Sequence, residues 1–70
     1  MAVTYKVTMH GVSISDPYAL LKAVFPMMNG EDAEGSNSYA QVTFAEPQTP
    51  ADLGPLVRVE VFDPTAPRLP

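Results

Sequence analysis

Seventy residues with no cysteine, one histidine and a formal charge of −4 exclude a disulfide framework and a thiolate metal centre, and argue against a zinc site within one chain. The four basic residues, Lys6, Lys22, Arg58 and Arg68, are scattered. Phosphate contacts supply much of the affinity for nucleic acid, so direct binding to DNA or RNA is not expected. The longest apolar stretch is broken by Lys22 and Pro26, and no leader pattern opens the chain. No membrane association is therefore expected, and the expected location is cytoplasmic: a host cytoplasm, or a virion, if the chain is phage-encoded. A chain this short lies near the lower limit for folding alone. With disulfides and metals set aside, a partner chain is the remaining common way to complete a thin core.

From Ala2 to His10 the chain alternates. Val3, Tyr5, Val7 and Met9 point one way, while Thr4, Lys6, Thr8 and His10 point the other. This is the period of a half-buried strand, and Gly11 ends it. A helix start follows. Asp16 is placed to cap the free N–H groups of a first turn, and Pro17 falls at the first helical position, where its missing N–H costs nothing. Leu20, Leu21, Val24, Phe25 and Met28 then form one apolar stripe. Pro26 predicts that the helix runs from Pro17 to about Val24. A kinked continuation to Met28, stopped at Asn29-Gly30, is the alternative.

Asn29 to Ser38 holds two glycines and the three acids Glu31, Asp32 and Glu34, and reads as a polar, mobile loop. Its acids lack the spacing and the terminal glutamate of a calcium loop. Tyr39 to Ala45 alternates again, with Ala40, Val42 and Phe44 on one side. Pro47, Pro50 and Pro55 forbid regular strand pairing in the next segment. Leu56 to Phe62 is the last strand, with Val57, Val59 and Val61 on one face and Leu56, Arg58, Glu60 and Phe62 on the other. Beyond it, Pro64, Pro67 and Pro70 recur at the polyproline-II period.

The expected fold is α+β: a small two-layer β-α-β-β domain over residues 1–62, with residues 63–70 as an extended proline-rich tail. One helix would cover a three-stranded mixed or antiparallel sheet. A crossover through the helix would set the first two strands parallel, with the last antiparallel to both and free to lie between them.

No catalytic constellation emerges. His10 falls on a strand's solvent face beside a glycine, the serines lie in caps and loops without a nucleophile-elbow spacing, and the carboxylates adjoin turns. No phosphate loop or dinucleotide fingerprint is present, so no cofactor is expected. The residues that point outward for a partner are the acids Glu31, Asp32 and Glu34, the pair Arg58 and Glu60 on the last strand, and Pro64, Pro67 and Arg68 in the tail. They predict a non-enzymatic protein–protein interaction module, self-associating or bound to a larger protein. Phage accessory and virion structural proteins are a familiar setting for such chains. The alternatives are an acidic decoy that inhibits a host protein, and a ligand-binding or enzymatic domain that gathers His10, Tyr5 or Tyr39 at a dimer interface.

Overall fold

A computed structural model describes residues 2–29 and 32–62. In chain order the elements are β1 (Val3–Met9), α1 (Pro17–Val24), β2 (Asp32–Gly35), β3 (Ala40–Phe44) and β4 (Val57–Phe62). The four strands form one antiparallel sheet in the order β2-β3-β1-β4. The class is α+β. The residues 63–70 expected to form a tail lie outside the described residues.

The helix begins as its sequence signals predict. Asp16 is the N-cap, and its Oδ1 accepts from the Ala19 N–H at 3.1 Å, while Pro17 opens the first turn. It also ends at the shorter of the two limits. Phe25 leaves helical geometry and donates its N–H to Leu21 O at 2.7 Å, and Met28 N–H bonds Phe25 O at 2.9 Å in the turn that Pro26 imposes. This turn buries Met28 and leaves Met27 at 86% exposure, so only one of the two methionines covers the core.

Two expectations about the sheet are overturned. Asp32–Gly35 is a strand, not part of a loop, so the sheet has four strands where three were expected. The first strand and the Ala40–Phe44 strand are antiparallel, not parallel. One cause underlies both differences. After α1 the chain enters β2, turns tightly through Ser36–Tyr39 and returns as β3, which reverses its direction once more. The turn is held by the Ser36 N–H on Tyr39 O at 2.8 Å and by the paired Ser36 and Ser38 hydroxyls at 3.0 Å. The last strand does not separate the other two; it lies outside β1, which becomes a central strand.

One face of the sheet carries the core. The cross-strand rows Ala33·Val42·Tyr5·Val61 and Gly35·Ala40·Val7·Val59 point to the helix side. Val7, Val42, Leu21 and Val24 are fully buried between the layers. Tyr5, Phe25 and Phe44 form an aromatic triad, with centroids 5.0 Å apart for Tyr5–Phe25 and Phe25–Phe44 and 5.9 Å for Tyr5–Phe44. Ile14, buried, is tied to the β2–β3 turn by its N–H on Asn37 O at 3.0 Å.

The proline-rich connection between β3 and β4 forms no strand and is fastened at two points. Ala51 N–H bonds Val24 O at 2.7 Å, and the Tyr5 hydroxyl both accepts from Gln48 N–H at 2.7 Å and faces Gln48 O at 3.1 Å. The second fastening is testable. Tyr5→Phe keeps the ring in the triad and removes both contacts, so stability is expected to fall by about 1 kcal/mol in urea unfolding. Amide exchange at Gln48 is expected to rise with it. An unchanged midpoint would mean that the Ala51–Val24 bond alone holds the connection.

Candidate interaction surface

The sheet face opposite the helix is open. Its side chains fall into rows because every strand alternates in phase: Asp32·Thr43·Thr4·Phe62 and Glu34·Gln41·Lys6·Glu60, followed by Thr8·Arg58. The surface is polar at its centre. Thr4 and Thr43 join through their hydroxyls at 2.8 Å, and Gln41 Nε2 donates to Glu34 Oε1. Lys6 lies on the central strand β1, with its ammonium 5.2 Å from the Tyr39 ring centre and 5.7 Å from that of Phe62. Cation–π contacts of this kind contribute about 0.5–1 kcal/mol each at exposed sites.

Four of the partner-binding candidates are placed by this arrangement. Asp32 and Glu34 lie on one edge strand, β2, while Arg58 and Glu60 lie on the other, β4. They share a face but not a patch, because three strand spacings of about 4.8 Å separate the edges. Glu31, Pro64, Pro67 and Arg68 lie outside the described residues. An open depression beside β2 is lined by Asp32, Glu34, Gln41 and Thr43.

The residues considered for chemistry do not converge. His10 is exposed in the turn after β1, and its backbone N–H bonds Leu56 O at 2.8 Å. Tyr5 is buried on the helix side of the sheet, whereas Tyr39 lies under Lys6 on the open side. Among the described residues, no three His, Cys, Asp or Glu side chains gather as a metal site. No helix among them is long and apolar enough to cross a membrane.

The sequence pattern misses an exposed apolar part of the surface at the β4 edge. Val61 belongs to the apolar set of β4, yet it is 65% exposed, because α1 makes its main contacts with β3 and β2. Leu56, placed in the last strand by the sequence pattern, lies one residue before β4 and is 62% exposed. Val61 lies on β4 and Leu56 directly before it, and no further strand lies beyond β4 among the described residues. The backbone there is also oriented outward. Because His10 donates to Leu56 O, the alternate pairs Thr8·Arg58 and Lys6·Glu60 are the hydrogen-bonded ones. Val57, Val59 and Val61 therefore turn their backbone groups away from β1. Val57 N–H reaches back to Gly54 O at 3.3 Å. The N–H groups of Val59 and Val61, and the carbonyls of all three valines, line the edge.

No protein-family model, curated protein or solved structure matches this chain.

Proposed function

We propose that this protein is a non-enzymatic protein–protein interaction module whose contact is the outer edge of β4. The observation that carries this reading is the coincidence, along one edge, of the outward-facing backbone groups of β4 with the exposed side chains of Val61 and of Leu56 directly before the strand. A strand edge of this kind is a ready template for pairing with another chain: main-chain hydrogen bonds supply affinity, and the alternating side chains supply selectivity. The opposite edge is less suited, because Asp32 and Glu34 leave β2 exposed, acidic and short. The dispersal of His10, Tyr5 and Tyr39 over different parts of the fold favours a binding role over a catalytic one.

A photo-crosslinking residue at position 56, in the full chain expressed in its own cell, tests the reading. Protein adducts are expected from position 56, and far fewer from position 22 on the exposed side of α1. Absence of protein adducts at 56, or equal yields at 22, would overturn it.

A further inference from the structure

Building on the reading that β4 is the contact, we infer that its occupant is a second copy of this chain, paired antiparallel about a two-fold axis at Val59. The argument is that β4 is complementary to itself. An antiparallel two-fold pairing centred on Val59 sets Arg58 opposite Glu60 of the second copy, and Glu60 opposite its Arg58. Opposite charges directly across an antiparallel pair stabilise it, and like charges destabilise it. In the same register Leu56 faces Phe62 of the second copy, so the side chain that is 62% exposed in one chain gains an aromatic neighbour. On the helix side Val59 meets its own copy and Val61 meets Val57, which covers the other exposed apolar side chain of the strand.

The backbone agrees with the side chains. Val59 N–H and C=O both turn outward, so Val59 and its copy form a hydrogen-bonded pair. Val61 N–H can then reach the Val57 carbonyl of the second copy, and the symmetric bond forms in return. An axis perpendicular to the sheet also keeps both helices on one side, so that the two sheets continue into one. The contact is isologous and closed.

The other edge supplies the contrast. The same operation on β2, centred on Ala33, sets Asp32 opposite Glu34 and repels the copy. One edge of this sheet is thus guarded against self-pairing by its charges, and the other is matched to it.

Sedimentation equilibrium and light scattering of the purified full chain, from low micromolar to millimolar, test the inference. The mass is expected to rise from that of one chain, 7.5 kDa, to twice that value. Arg58→Glu and Glu60→Arg each replace both opposite-charge pairs by like-charge pairs, and each is expected to weaken self-association by about tenfold or more. Mixing the two variants sets acids against bases in both pairs, so the mixture is expected to form a heterodimer that neither variant forms alone. Val61→Pro, at an outward N–H where an edge strand tolerates proline, is expected to give a monomer that retains its far-UV circular dichroism.

A monomer at every concentration would overturn the second-copy assignment. If crosslinks from position 56 then lead to a different protein, the edge-contact reading stands without it. If the monomer protects the Val59 and Val61 amides from exchange, the chain covers its own edge and both readings fall. A dimer that survives Val61→Pro, or that is indifferent to the charge exchanges and their mixture, would place self-association elsewhere and overturn the inference.

Discussion

Replacing Phe25 by alanine is expected to bring the protein to the margin of unfolding at room temperature. Phe25 directly follows the last helical residue, Val24, and leaves the helix at its C-cap, with φ −122° and ψ 81°, which places its ring against both Tyr5 and Phe44. It is 3% exposed and joins the helix layer to two adjacent strands, β1 and β3. Truncating a buried phenylalanine costs about 3–5 kcal/mol, through lost transfer energy and the cavity left behind. A chain of this length has about 4–10 kcal/mol in total at the usual stability per residue. Urea unfolding followed by circular dichroism measures the difference. Met27→Ala, two residues on at an 86% exposed position, is expected to leave the midpoint nearly unchanged. Equal losses for the two variants would show that the aromatic triad is not the centre of the core.

Gly35→Ala is expected to destabilise the protein by about 1–3 kcal/mol, although it adds a single methyl at an exposed position. A Cβ at residue 35 would lie 2.7 Å from both Pro17 Cβ and Tyr39 O, and 3.0 Å from Ala40 Cα. None of these atoms is the free end of a flexible side chain. Tyr39 O accepts the Ser36 N–H that closes the β2–β3 turn, and Pro17 is held by the start of α1. Relief of the overlap requires β2 to move away from the helix N-terminus or the turn to open. Faster amide exchange is expected throughout Asp32–Gly35, with β1 and β4 slow. Unchanged stability and exchange would mean that the helix start yields freely and that the approach of β2 beneath Pro17 contributes nothing to the fold.

These two sites differ in how far they can be read from the sequence. Phe25 is legible, because the apolar stripe and the helix stop at Pro26 depend on residues a few positions apart. Gly35 is not. In the sequence it is one of the glycines of a polar segment, and its requirement for a missing side chain arises only where β2 passes under α1. The acids Asp32 and Glu34 are hidden for a related reason. β2 is an edge strand of four residues, too short for its Asp-Ala-Glu-Gly alternation to stand out within a polar segment, and its backbone bonds to β3 leave no mark on composition. Missing that strand also changes the topology, since β2 supplies the reversal that makes β1 and β3 antiparallel.

What the sequence determined by itself is therefore local: the alternation of β1, β3 and β4, the Asp16 cap and Pro17 start, the helix limit at Val24, and the inward set of side chains. Each follows from backbone geometry and hydrophobic period over a handful of residues. The tertiary structure alone decided which strands are edges, where the helix stops covering the sheet, and which valines remain in water. Arg58 and Glu60 are visible as a charged pair in any reading of the chain. That they lie on an open edge, with Val59 between them turning its backbone outward, depends on strand order and register, and these are set by pairings between residues up to fifty-eight positions apart, from Thr4 to Phe62.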